Sequence, residues 1–309
     1  MTAMTDRLVP APQPADTPPR ETDDTVRRRR RHRARPKGTR LQRWSAYLML
    51  GVASLFSLGP FLWVGLASLK LPIDAFSLPP VWSFTPTIEA YRILWYDRGF
   101  GSFLANTLLV GALTTVISLV VAAPAAYALS RFKHVSGLWI LLLALVFRAL
   151  PRMAVVLPFY YLARITGLYD TRILLVVVLV AVNQPFTIWL LRDFFASLPE
   201  ELEESAMVDG CTRIGAFRRV ILPVAGPGLV TAAVFTFLLA YQEYMIPLVL
   251  TQTDAVTLPV FIAQFSTENI QDWPVISAAA VSLALPIVGL VLLAQRFLVA
   301  GLTAGSTKG

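Results

Sequence analysis

Residues 204–223 read "ESAMVDGCTRIGAFRRVILP", a polar stretch lying between two long apolar blocks and preceded by the acidic run "SLPEELEE" at 197–204. Its local chemistry predicts two short helices joined at a bend. Ser197 is placed to cap the first, with Pro199, Glu200 and Glu201 in the opening turn, where a preset φ and negative charge suit a helix N-terminus. That helix is expected to end near Val208. Asp209–Gly210 signals a turn, because glycine takes positive φ without a Cβ penalty. A second helix is expected over 212–221, with Arg218 and Arg219 near its end and Pro223 opening the next apolar block. Ala206, Val208, Ile214 and Phe217 are the apolar side chains such an elbow would present.

The surroundings of this insert are unusually apolar. The 309 residues are 56% hydrophobic and 15% charged, with a mean hydropathy of +0.62, whereas soluble domains carry about 25% charged residues. Apolar residues gather at 45–69, 103–129, 138–162, 173–191, 224–250 and 275–299, each close to the roughly 20 residues that a helix needs to cross a bilayer. Alternation with period two is missing from these blocks, which argues against a membrane barrel. The expected fold is an all-α integral membrane protein of six transmembrane helices, with the elbow between the fourth and fifth. Pro124, Pro158, Pro185, Pro247 and Pro286 lie in or near the blocks and are expected to mark kinks. The single cysteine, Cys211, excludes an intrachain disulfide. The two histidines, His32 and His134, lie outside the blocks, so histidine-based metal or proton-relay chemistry has little to work with. No removable secretory signal is expected, since the basic start leads into a full-length block.

Residues 1–43 differ from the rest. They open with "PAPQPADTPPRETDD" after the first few residues and end on "RRRRRHRARPKGTR" and "LQR". They hold 12 Lys+Arg against 5 Asp+Glu, a net of +7 out of the chain's +8. With no apolar face to offset ordering, this region is expected to be a disordered tail. A basic run can bind RNA, but no aromatic or folded module accompanies this one, which argues against nucleic acid. Abutting the first block, it reads as a cytoplasmic orientation signal lying against anionic lipid. Six spans then return the C-terminus to the cytoplasm. The cytoplasmic segments beyond the tail hold eight basic residues (Arg131, Lys133, Arg192, Arg213, Arg218, Arg219, Arg296, Lys308), and the external ones five. The external stretch 251–274 carries Asp254, Glu268 and Asp272 and no basic residue. The elbow therefore faces the cytoplasm. Its acids (Glu200, Glu201, Glu203, Glu204, Asp209) would be repelled by an anionic leaflet, and docking into a protein groove suits it better.

Glu204-Ser205-Ala206, then Gly210, then Val220-x-Leu222-Pro223 resembles the E-A-A-x-x-x-G-x9-I-x-L-P signature of ABC-importer permeases. Ser205 replaces an alanine, Val220 an isoleucine, and Cys211 takes a position that is usually alanine. "LARITGLYDT" (162–171), "FTIWLLRDFFASLPEELEESAMVDG" (186–210), "TLPVFIAQF" (257–265) and "GLTAGSTKG" (301–309) are similar to the carbohydrate-uptake branch, in particular the second permease of maltose-type importers. The resemblance runs over about 45–309. "YQEY" (241–244), where that branch has W-N-E-F, and "VNQPF" (182–186) depart from it and bear on the solute.

The resemblance implies a permease domain over 44–309, with an importer core at about 101–300, moving a sugar or related polyol by alternating access in the bacterial plasma membrane. It implies four kinds of partner: a second permease subunit, two ABC ATPase subunits, an extracytoplasmic solute-binding (lipo)protein and the lipid bilayer. The elbow becomes the coupling-helix pair seated in an ATPase cleft, with Glu200, Glu203, Glu204, Ala206, Asp209, Gly210, Phe217, Leu222 and Pro223 as its coupling residues. ATP and Mg belong to the ATPase subunits, and this chain is expected to bind no cofactor and no metal and to catalyse no reaction. Gly210 to Gly215 is the nearest approach to G-x-x-x-x-G-K-[ST], and Ala216-Phe217 follows where the phosphate-gripping lysine would stand.

Arg148 and Arg152 flank Pro151 inside the third block, where charge is costly and faces the bundle interior or water. They read either as a gate or cavity lining, or as a structural ion pair at a broken helix, with Glu243 as the anionic partner. Asn183, Gln184, Tyr241, Gln242 and Tyr244 are the other pathway candidates, able to bond hydroxyls and stack on sugar rings. Asn and Gln equally join helices in membranes, each worth about 1 kcal/mol. A non-sugar solute (amino acid, peptide, sugar phosphate) is the alternative cargo. A membrane-embedded enzyme would need clustered carboxylates, a His pair or a Ser/Lys arrangement, which the blocks lack. A bare membrane anchor would explain the elbow but not the polar residues in the blocks.

Overall fold

The computed structural model describes residues 40–132, 135–265, 269 and 272–304. The tail up to residue 39, Lys133, His134, Glu268 and Lys308 lie outside the described residues. Among the described residues every regular element is helical. α1 (Arg40–Ala67) is followed, after short turns at Pro72–Ala75 and Glu89–Arg92, by α2 (Phe100–Arg131). Then come α3 (Val135–Arg148), α4 (Arg152–Thr166), α5 (Arg172–Ala196), α6 (Glu201–Val208), α7 (Arg213–Val224), α8 (Gly226–Tyr241), α9 (Met245–Leu250), α10 (Leu258–Ala263) and α11 (Asp272–Ala304).

α1, α2, α5 and α11 are each long and apolar enough to cross a membrane. α3 with α4, bent by 92°, and α7 with α8, bent by 75°, qualify only as pairs, so the described residues supply four spans, or six if each bent pair crosses. The expected helix over 138–162 is thus corrected. It stops at Arg148, and Pro151 (φ −53°, ψ 130°) opens α4, because proline lacks an N–H and turns the chain before it away from the helical region. The expected helix over 224–250 stops at Tyr241 and resumes at Met245. Pro124, Pro158, Pro185 and Pro286 lie inside unbroken helices, and Pro247 in the first turn of α9. Proline alone does not locate the breaks.

The chain divides into two compact units, Met1–Leu58 and Gly59–Gly309. The described part of the first is one apolar helical segment exposing Trp44, Met49 and Phe56. In the second, α2 and α5 form the central pair, and α8 packs on α2, α5 and α11. Their packing relies on small residues and hydroxyls. The Thr187 and Thr236 hydroxyls bond each other at 3.0 Å between α5 and α8, and Gly228 is pressed against the ring of Phe194. Such close approach is how helices associate where lipid supplies no hydrophobic drive. Val120, Val177, Leu285 and Leu293 remain exposed on the outside, as a surface meeting acyl chains requires.

Away from the elbow, the connection 251–257 is fastened by polar contacts. Asp170, itself at φ 61°, accepts the backbone N–H groups of Gln252, Thr253, Asp254 and Ala255 at 2.8–3.1 Å. Asn106 donates to the carbonyls of Asp254 and Val256 at 3.0 Å and accepts from Arg172 Nε at 2.7 Å. Thr107 Oγ1 accepts Leu258 N–H at 2.7 Å. Burial pushes the Asp170 carboxyl up, but the four N–H donors outweigh it and hold the group below its ordinary value.

Two outcomes follow from this packing. Gly228→Ala overlaps Phe194, whereas Gly226→Ala meets nothing within 4 Å, so only the first lowers the thermal stability of the purified protein, by about 1–3 kcal/mol. Equal melting of both variants contradicts the tight crossing. Asp170→Asn removes one anionic oxygen, so amide-exchange protection at 252–255 falls roughly tenfold while α8 keeps its own. Because folding depresses this carboxyl, its contribution is full above the unfolded pKa of about 4 and is lost as pH falls through the lower folded value. Protection at 252–255 that already collapses near pH 6 rules the clamp out.

Candidate functional site

Two polar assemblies stand out, one on the surface and one within the helices. The surface one is the elbow formed by α6 and α7. Asp209 ends α6, Gly210 follows at φ 88°, and two bonds close the end: Gly210 N–H to Met207 O and Cys211 N–H to Ala206 O, both 3.0 Å. That pairing is a Schellman closure, which requires a left-handed residue at the glycine position. Thr212 Oγ1 then caps α7 by accepting Gly215 N–H at 3.2 Å. The turn therefore lies where the sequence predicts it, but the second helix runs past its expected end at 221 to Val224, so Pro223 lies within it and the next helix opens at Gly226. The first helix does not start as expected. Ser197 belongs to the end of α5, where its hydroxyl donates to Phe194 O at 2.7 Å, and α6 begins at Glu201.

The elbow is anchored to the end of α2. Arg131 Nε bonds Glu203 Oε2 at 3.2 Å, with only 9% and 11% of the two side chains exposed, and Arg131 Nη1 reaches Leu198 O at 3.3 Å. Beside this pair, the Phe217 ring sits 4.7 Å from that of Tyr127 and 6.2 Å from that of Phe195. Ala206, Ala216 and Ile221 are buried, and Leu222 packs on the same cluster. The expectation that Ala206 and Phe217 face outward is corrected, because the amphipathic stripe of each short helix is used up against α2 and α5. What faces outward is Val208 (87% exposed) and Ile214 (67%), with Glu200, Glu204, Asp209, Gly210 and Pro223 around them.

The internal assembly lies where the two broken helices meet α5. Arg148, the last residue of α3, donates from Nη1 to Asn183 Oδ1 at 3.1 Å and lies 5.1 Å from the Phe186 ring. Arg152, the first residue of α4, approaches Glu243 with Nε to Oε2 at 3.7 Å, and its Nη1 is buried without a hydrogen-bond partner. Glu243 sits in the gap between α8 and α9. Asn183 lies midway along α5, so the charges are far from either helix end. Of the eight pathway candidates, the fold gathers Arg148, Arg152, Asn183 and Glu243. Gln184 turns to α2, donating to Ser118 O at 3.3 Å. Tyr241 is buried and donates to Leu283 O at 2.9 Å. Tyr244 packs against the cluster around Phe261, and Gln242 is exposed.

Sequence reasoning missed the roles of Arg131, Asp170 and Asn106. Arg131 was legible only as a basic residue ending a block, and a partner 72 positions away leaves no local signal. "GLYDT" holds Asp170 in plain view, yet its task depends on a loop 82 to 85 residues on. Among the described residues, no group of three or more His, Cys, Asp or Glu could hold a metal ion.

Comparison with known proteins follows the same lines. The family described as "Binding-protein-dependent transport system inner membrane component" matches residues 116–303. The chain is 37% identical over 257 residues to the trehalose transport system permease protein SugB of Mycobacterium tuberculosis, covering 82% of this chain and 93% of that protein. It is 35% identical over 252 residues to the diacetylchitobiose uptake system permease protein DasC of Streptomyces coelicolor, covering 81% and 91%. In a solved bacterial ABC transporter involved in the import of the acidic polysaccharide alginate, one chain shares the fold with a TM-score of 0.68. That match covers 85% of this chain and 98% of the other at 22% identity.

The internal assembly makes a directional test possible. Arg152→Met leaves Glu243 without its cation and lowers uptake at least about tenfold, and Arg152→Lys lowers it less. Both side chains keep some exposure, so the stability cost is about 2 kcal/mol rather than the full penalty of a broken buried pair. Adding Glu243→Gln to Arg152→Met recovers stability and part of the uptake. Defects that simply add in the double variant refute the pairing.

Proposed function

This chain belongs to the family of binding-protein-dependent transport system inner membrane components, and we propose that within it the chain is a sugar permease subunit of an ATP-driven importer. Membership makes it a membrane component of a transporter and not an enzyme. The proposal adds the cargo, the assembly and the path of force. A sugar or related polyol is supported by the trehalose and diacetylchitobiose permeases at 37% and 35% identity. Six spans are reached by counting each bent helix pair as one crossing, with residues 1–43 as a tail and 44–309 as the permease domain. The tail, the C-terminus and the elbow lie on the cytoplasmic side of a bacterial plasma membrane, in keeping with the basic residues that precede α1. A second permease subunit completes the pathway, an extracytoplasmic binding protein delivers solute, and two ATPase subunits hold the ATP and Mg that this chain does not bind.

The observation that carries this reading is the elbow. Its tip exposes Val208 and Ile214 together with Glu200, Glu204 and Asp209, while Arg131 and Glu203 bind its base to a spanning helix. A tip of that kind fits a partner's cleft, and the buried base passes the partner's movement on to α2. In the coupling set, Glu203, Ala206, Phe217 and Leu222 act as anchors, while Glu200, Glu204, Asp209, Gly210 and Pro223 lie toward the ATPase. Arg148, Arg152, Asn183 and Glu243 form a polar station midway across the membrane, where broken helices leave backbone and charge facing a pathway rather than lipid. Alternating access opens that station to each side in turn.

Gly210 supplies the sharpest test. A Cβ there meets no neighbour within 4 Å, so Gly210→Val acts through backbone conformation alone, costing about 1–2 kcal/mol at the turn. Transport and solute-stimulated ATP hydrolysis in the reconstituted importer fall sharply, ATPase co-purification weakens, and Gly210→Asn, which tolerates positive φ, restores much of both. Glu204→Lys reverses an exposed charge in the first turn of α6, costs the helix only about 0.3–1 kcal/mol and gives the same loss of coupling. The binding protein's own affinity for solute is unchanged. Normal coupling in Gly210→Val and Glu204→Lys together refutes the elbow as the point of coupling.

A further inference from the structure

The elbow also borders a groove, which shares Arg131, Glu203, Ile214, Phe217 and Leu222 with the elbow and its anchor. This groove, of about 750 Å³, runs between the last third of α2 and α7. Its wall on the spanning helix is apolar, built from Leu119, Val120 and Ala123, with Leu229 of α8 opposite. Its lining also holds the exposed Arg213 and Arg218 and Arg131, whose side chain is only 9% exposed. Glu203 also lines it and answers one of the three charges, leaving a net of two positive. Arg131 is spent on Glu203 and Leu198 through Nε and Nη1, but its Nη2 is buried with no hydrogen-bond partner. Arg213 lies 5.6 Å from the Phe132 ring, and neither it nor Arg218 forms an ion pair among the described residues.

A buried guanidinium nitrogen without an acceptor, beside two arginines without an ion pair, asks for an anion with several oxygens. The apolar wall asks for a hydrocarbon chain joined to it. From Val120 to Arg131 is about 16 Å along the helix, about half the roughly 30 Å hydrocarbon core and so the depth of one acyl chain. Val120 is exposed on a helix apolar enough to span the membrane. We infer that this groove is a binding site for an anionic phospholipid, its phosphate held by Arg131, Arg213 and Arg218 and one acyl chain lying along Leu119, Val120 and Ala123. A zwitterionic lipid carries its own cation into the same three arginines and binds less well. The bound lipid bridges α2 and α7, so it stiffens the base of the elbow from the bilayer side. This site goes beyond the proposed importer role and needs only that the chain lies in a membrane.

The test is native mass spectrometry of the full-length chain in its assembled complex, incubated in turn with phosphatidylglycerol, phosphatidylcholine and inorganic phosphate. Phosphatidylglycerol is retained roughly tenfold better than phosphatidylcholine, in line with the attraction of each arginine for an anionic headgroup. Arg213→Gln with Arg218→Gln abolishes that preference, Arg213→Lys with Arg218→Lys keeps most of it, and Val120→Trp lowers retention of phosphatidylglycerol by blocking the wall. Unchanged melting temperature and subunit content show that these variants assemble. Equal retention of the two lipids, or a preference that survives the double Gln variant, overturns the site. Displacement of phosphatidylglycerol by millimolar phosphate reassigns the groove to a free anion and also overturns it. Retention by the isolated chain but not by the complex shows that a partner's helix fills the groove, which overturns it equally.

Discussion

A polar group inside hydrocarbon has no water to bond, and leaving one unsatisfied costs several kcal/mol. The arrangement of the second unit follows from that constraint. The four long apolar helices run unbroken, whereas the remaining apolar blocks are interrupted. They break at 149–151 and 242–244, where the charges of Arg148, Arg152 and Glu243 meet one another and Asn183. Arg152 at the start of one helix and Glu243 before the next supply opposite charges across the gap, so each break provides the partner that the other needs.

The same accounting explains which parts of the fold were legible in the sequence. Long apolar blocks announce helices, because composition alone decides whether a segment can reside in lipid, and four of them appear as continuous helices. Asp209–Gly210 announced a turn because positive φ is a property of one residue, and the φ of 88° at Gly210 bears that out. Ser197 was misplaced because a serine near a helix boundary can cap the helix that follows or close the one before. Only the position of Phe194 O decides between them. Pairing across the chain leaves no periodic trace. Charge cost pointed to Glu243 as partner for Arg152, since no other Asp or Glu lies within the blocks. Asp170 with its four amides, by contrast, depends on how two loops approach.

The elbow combines two requirements that pull against each other. It keeps the apolar side chains Val208 and Ile214 exposed, yet an exposed helix of eight residues, as α6 is, has little stability of its own. The solution divides the residues by face. Glu203, Ala206 and Phe217 are spent on anchoring, while Val208 and Ile214 stay exposed. The Schellman closure at Gly210 fixes the angle between the faces with backbone bonds, so no side chain is diverted to hold the turn.

α2 joins the two ends. It extends about 48 Å at 1.5 Å per residue, well beyond the roughly 30 Å of hydrocarbon, and is gripped near both termini. Asn106 and Thr107 hold the connection that Asp170 clamps, and Arg131 holds the elbow. Between these grips α2 packs along α5, with Gly111 against Phe237 and Thr115 turned back on its own helix. A helix supported in that way does not bend cheaply, because its backbone bonds have no alternative partner in lipid. Displacement applied at the elbow must therefore appear at the 251–257 connection or be absorbed where the backbone is already interrupted. The interruptions at 149–151 and 242–244 lie beside Arg148, Arg152 and Glu243, so the backbone of the bundle is broken where its internal charges are held.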